Sequence, residues 1–117
     1  MNRLLAVGGW VLLLFAVTVG ANAAPKAESA VECGIAADMA IVARSLAEEQ
    51  VQPPKASAIM ARIYDVSESD RGKELMKEIL DAAYGKQAVT SQTFAEELFT
   101  ACMKDGGNMD TVLGRRL

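Results

Sequence analysis

Residues 29–50 read SAVECGIAADMAIVARSLAEEQ, and their apolar positions recur every three or four residues, the period of one face of an α-helix. Val31, Ile35, Met39, Val42 and Leu46 form one stripe, with Ala36, Ala40, Ala43 and Ala47 as a ridge of small side chains beside it. A ridge of alanines lets a neighbouring helix pack closely, which places this first helix centrally in a bundle. Val51-Gln52-Pro53-Pro54 is expected to stop it, because proline lacks an N–H to donate and restricts the residue before it.

Working outward, no stretch from Glu28 onward alternates with period two for long enough to make a strand, and the chain reads as all-α. A second helix is expected from Pro54 to Asp65, with Ala56, Ile59, Met60 and Ile63 on its apolar face. Val66-Ser67-Glu68-Ser69-Asp70 offers N-caps followed by acids that complement the helix dipole. It opens a third helix through Tyr84, striped by Leu75, Met76, Ile79, Leu80 and Ala83, with Gly85 as its left-handed cap. Lys77 and Asp81 stand at i,i+4 on this helix. A fourth helix starts near Thr90 or Ser91, places Phe94, Leu98, Phe99 and Cys102 on one face, and stops at Gly106-Gly107. Asn108 to Leu113 supplies a last turn that packs Met109, Val112 and Leu113 back on the bundle.

Short connections make successive helices antiparallel neighbours, so the expected architecture is a small four-helix up-down bundle. Cys33 and Cys102 then lie at the same end, and a disulfide between them closes a loop of about 70 residues, worth about 4 kcal/mol in the chain-entropy model. The alternative is two separate buried thiols. On an ideal helix Cys33 falls opposite the Ile35/Met39/Leu46 stripe, which requires the first helix to be buried on more than one side or to be distorted in its first turn.

The segment before the bundle carries an export pattern: Met1-Asn2-Arg3, an apolar run from Leu4 to Gly20, and the small-x-small site Ala21-Asn22-Ala23. Residues 1–23 are expected to be a signal peptide, cleaved after Ala23. The rival is an uncleaved anchor, since the run of about 17 residues falls just short of the roughly 20 that span a bilayer. Cys33 lies too far past the run to be a lipidation site. A periplasmic or secreted location follows, and it suits a disulfide. Residues 24–117 would make a single helical domain of 94 residues, and losing Arg3 takes the formal charge from −3 to −4. Such a domain repels nucleic acid and anionic lipid, and its basic residues form no stripe with interleaved aromatics; only Arg115-Arg116 cluster.

The chain has no histidine, which removes Ser-His-Asp and Cys-His catalysis, and a disulfide would remove the thiolate. Glu48-Glu49, Glu96-Glu97 and Asp65/Asp70 remain as carboxylate pairs for an enzyme, but adjacent residues on a helix do not face one another. Asp105-Gly106-Gly107-Asn108-Met109-Asp110 fails as a calcium loop, since positions 3, 5, 6 and 12 counted from Asp105 are Gly107, Met109, Asp110 and Arg116. Arg71-Gly72-Lys73 lacks the spacing of a phosphate loop. Met39, Met60, Met76, Met103 and Met109 lack the close pairing that Cu(I) would favour, and read as fillers of an alanine-rich core or as an adaptable groove. No metal or cofactor is expected.

In plan the chain resembles the acid-stress chaperones of the bacterial periplasm and is similar to some periplasmic immunity proteins. Both resemblances imply a non-catalytic exported module that binds another protein, as a chaperone-like, inhibitor/immunity or assembly factor. The alternative is a small enzyme using Asp/Glu acid–base chemistry. For the binder, the connection from Tyr64 to Arg71 is the expected recognition edge, because it sets Tyr64 and Arg71, side chains enriched at binding hot spots, beside Asp65 and further acids.

Overall fold

The computed structural model describes residues 26–66, 69–86 and 89–114. Helix α1 spans Ala30–Glu48, α2 Pro53–Ile63, α3 Asp70–Gly85, α4 Ser91–Lys104, and the single turn α5 Asp110–Leu113. The expected leader and its cleavage site lie outside the described residues. No helix among the described residues is long and apolar enough to cross a membrane.

Local chemistry sets most of the helix ends. The hydroxyls of Ser29, Ser69 and Thr90 accept hydrogen bonds from the backbone N–H groups of Glu32, Gly72 and Thr93 at 3.2, 2.9 and 3.1 Å, each satisfying a donor with no partner inside its helix. Prolines open α2, where their missing N–H costs nothing. Helix α1 ends before the prolines. Gln50 takes a left-handed conformation at φ 62°, and the N–H groups of Gln50 and Val51 bond back to Ala47 and Leu46, the Schellman pattern normally built on glycine. Gly85 is not the left-handed cap expected of it: it is the last helical residue, and Lys86 follows as the cap at φ −108°.

The helices run up, down, up, down. Contacts of Glu32 with Arg71 and of Arg44 with Ala83 hold the same offset along α1 and α3, making them parallel. Cys33 meets Cys102 at one end of the α1–α4 pair and Arg44 meets Val89 at the other, making that pair antiparallel. Tyr64, at the end of α2, reaches back to Asp38 in α1. Helix α1 touches all three other long helices, the central position expected of it.

The face that α1 buries is the alanine ridge. Cys33, Ala36, Ala40 and Ala43 are buried together with Met39 and Arg44, whereas Val31 is 72% exposed and Ile35 stands largely in solvent. This corrects the expected stripe at Val31 and Ile35, while Met39 is buried and Val42 and Leu46 pack partly against the core; the helix is buried over more than one side, and Cys33 lies in phase with the ridge, so no distortion of the first turn is needed. Alanines with no exposed surface bring α1 close to its neighbours, and the bulk comes from the partners. Leu75, Met76, Ile79, Leu80 and Ala83 of α3 are all buried, as expected, with Phe94 and Leu98 of α4 and Met60 of α2. Ile63 and Phe99, expected inside, are exposed. Met109 and Leu113 close the lower end, as the sequence indicates.

Among the described residues one charge is buried in this core. Arg44, 4% exposed, donates from Nε to the Val89 carbonyl at 2.7 Å and from a terminal nitrogen to the Ala83 carbonyl at 3.2 Å. A guanidinium at the C-terminal end of α3 also meets the negative end of its dipole. The Tyr84 hydroxyl donates to the Val51 carbonyl beside it, tying α3 to the link between α1 and α2.

Cys33 and Cys102 form a disulfide with Cα atoms 5.7 Å apart, within the usual range for such a bond. Bonds of this kind persist in oxidising, extracytoplasmic compartments.

Candidate functional site

With its alanine ridge turned inward, α1 presents Val31, Gly34, Ile35, Asp38 and Ile41 outward, at steps of three and four residues. A groove runs along each side of this face. On the α2 side Val31, Ile35 and Asp38 face Ile63, Tyr64 and Asp65 across a cleft of about 520 Å³. On the α4 side Ala37 and Ile41 face Ala95 and Phe99 across one of about 530 Å³. The exposed large hydrophobic side chains among the described residues are Val31, Ile35 and Ile41 on α1, Ile63 on α2, and Phe99 and Met103 on α4. None is on α3; five of the six line the two grooves beside α1, and Met103 follows Phe99 one turn on along α4. A third depression, of about 550 Å³ between α4 and α5, is lined by the opposed charges Lys86, Lys104, Glu96 and Asp105.

Tyr64 shapes the first groove. Its hydroxyl donates to Asp38 Oδ2 at 2.5 Å, and burial together with the neighbouring Asp38 carboxylate pushes its pKa well above the ordinary phenol range. The hydroxyl therefore remains a donor at any physiological pH, and it pins the end of α2 to the outer face of α1. Asp65 follows at the groove's rim.

Arg71 lies elsewhere and lines neither groove. Its guanidinium makes two parallel 2.9 Å bonds to the Glu32 carboxylate, a third of 2.9 Å to the Lys26 carbonyl, and a 3.5 Å ion pair with Glu28. It is a clasp between the first turn of α3 and the segment that leads into α1. The structure thus brings Tyr64 and Asp65 together at a groove and gives Arg71 a separate structural contact.

The clasp has a pH signature. Hydrogen bonds from Arg71, and then from the Glu28 backbone, hold the Glu32 carboxyl below its ordinary value of 4.5. A carboxyl depressed in the folded state stabilises it above the unfolded pKa, and that contribution is lost as pH falls through the lower, folded value. Both partners are about one-third exposed, so solvent screening keeps the effect under about 1 kcal/mol. The melting temperature of Arg71→Gln should lie slightly below that of the parent at pH 7, and the gap should close as the pH is taken below about 4.

Among the other groups singled out in the sequence, Glu48, Glu49, Glu96, Glu97, Asp65 and Asp70 all stand exposed. Both cysteines are in the disulfide. No group of three His, Cys, Asp or Glu residues suited to a metal occurs among the described residues. Met39, Met60, Met76 and Met109 fill the core, and of the methionines among the described residues only Met103 reaches the surface.

No protein-family model, curated protein or solved structure matches this chain. The outward face of α1 was missed by periodicity because two apolar faces compete on this helix. The phase of Cys33 with the alanines was the signal that could have found it: once the cysteine is taken as buried, Val31, Ile35 and Ile41 are left outside.

Proposed function

We propose that this protein is a non-catalytic exported module that binds another protein through the α1 face and its two grooves. The observation that supports this reading is the gathering of six exposed large hydrophobic side chains on α1, the end of α2 and α4. Large apolar side chains left exposed and grouped in this way mark interaction sites on soluble proteins. Tyr64 and Asp65 belong to the rim of the surface, and Arg71 supports it from behind by holding the start of α1. Chaperone-like, inhibitor or immunity, and assembly roles are forms of the same activity. The disulfide supports a periplasmic or secreted location, with residues 24–117 working as one domain after the leader is removed at Ala23.

A photo-crosslinking amino acid placed at Ile35 or Phe99 in the natural host, with exposed Glu74 on α3 as the control position, tests the reading. Discrete crosslinked species from Ile35 and Phe99 but not from Glu74 are expected. Equal labelling at all three positions, or none at any, would overturn it.

A further inference from the structure

Gly34 sits in the middle of the exposed face of α1, where glycine weakens a helix by roughly 1 kcal/mol relative to alanine. Nothing among the described residues requires it. Its backbone is ordinary helix, and a Cβ built on it would meet no atom within 4 Å. A glycine that costs stability and serves no contact among the described residues, flanked by Val31, Ile35 and Ile41, lets another backbone approach this face closely.

The charges around it say what kind of backbone. Among the described residues, the two grooves beside this face carry the carboxylates of Asp38 and Glu96, one in each, and are lined by no lysine or arginine. A second copy of this acidic chain, docked face to face, would set carboxylate against carboxylate, and an anionic lipid surface would be repelled in the same way.

We propose that the occupant is a cationic amphipathic helix of a partner protein. It crosses α1 at Gly34, lays apolar side chains into the Ile35/Ile63 and Ile41/Phe99 grooves, and sets lysine or arginine against Asp38 and Glu96. This deepens the protein-binding reading above and rests on it. The mode is that of an amphipathic helix in a groove, in which apolar anchors supply affinity and rim charges supply selectivity.

Two synthetic helices of about five turns, one built on leucine and lysine and one with every lysine replaced by glutamate, serve as probes for calorimetry on the disulfide-bonded protein. The lysine peptide is expected to bind with a Kd below about 100 µM, and the glutamate peptide at least about tenfold more weakly. Gly34→Ala should raise the melting temperature, since it improves the helix and has open space. Gly34→Leu should also stay folded, yet weaken the lysine peptide by about tenfold or more. Asp38→Asn should weaken it by a smaller factor while keeping an acceptor for Tyr64. Equal binding of both peptides, or full binding by Gly34→Leu, would overturn the proposal. So would a dimer in sedimentation that Gly34→Leu dissociates, which would assign the face to a second copy, or binding to anionic vesicles. If neither peptide binds while Ile35 and Phe99 still crosslink a protein, the protein-binding reading stands and the cationic helix falls.

Discussion

Replacing Cys33 and Cys102 together by alanine is expected to lower the melting temperature by roughly 20 °C while leaving the helical circular-dichroism signal at low temperature almost unchanged. The bond joins residues 69 apart, so removing it returns to the unfolded chain the freedom of nearly the whole bundle, worth about 4 kcal/mol in the chain-entropy model. For a domain of this size that is a large fraction of total stability. Alanine is the better probe than serine, because both positions are buried and a hydroxyl there would add a desolvation cost of its own. Reduction of the unmodified protein should reproduce the shift. A double variant melting within a few degrees of the parent would show that helix packing alone holds the ends together.

Gly107→Ala is expected to destabilise by about 3 kcal/mol, a cost made of a strained backbone and a lost hydrogen bond. After α4 the chain turns through two left-handed residues, Gly106 at φ 64° and Gly107 at φ 95°. The Gly107 N–H returns to the Cys102 carbonyl at 2.7 Å, and its own carbonyl accepts the Ala27 N–H at 3.0 Å. A Cβ on Gly107 would lie 2.0 Å from the Ala27 carbonyl oxygen, which is backbone and cannot rotate aside. The segment before α1 must then lift off, taking with it the Lys26 carbonyl that Arg71 holds. Denaturant unfolding gives the loss directly, and amide exchange should show Ala27 losing protection first. Gly106→Ala has open space around it and pays only the cost of its φ, so it should be the milder of the two. Equal effects would mean that the close approach at Ala27 contributes nothing.

Sequence and structure divide the description of this protein along a physical line. Helix starts were legible residue by residue, because a cap is a local bond: Ser29, Ser69 and Thr90 each reach a backbone N–H three residues on. The fully buried stripe of α3 was legible too, because its other faces are charged and leave periodicity a single answer. The pairing of Cys33 with Cys102 followed from an even cysteine count and up-down order. Local rules failed at Gln50, where a residue with no preference for left-handed backbone ends α1; the turn places Val51 so that its carbonyl accepts from Tyr84, a contact 33 residues away. Arg44 was equally hidden, since its partners are the carbonyls of Ala83 and Val89, set in place only when α3 and α4 close on α1.

The candidate site belongs to the same division. Tyr64 and Asp65 could be picked out as side chains suited to recognition, but that Arg71 spans to Glu32 depends on α1 and α3 lying parallel. Sequence by itself determined the helices, their order and the closing bond, because these follow from local hydrogen bonding, apolar period and chain connectivity. Only the tertiary structure decided which face of α1 is inside. Both faces are apolar enough to be buried, and close packing of helices around a central one selects the face whose alanines let them approach, leaving Val31, Ile35 and Ile41 to the surface.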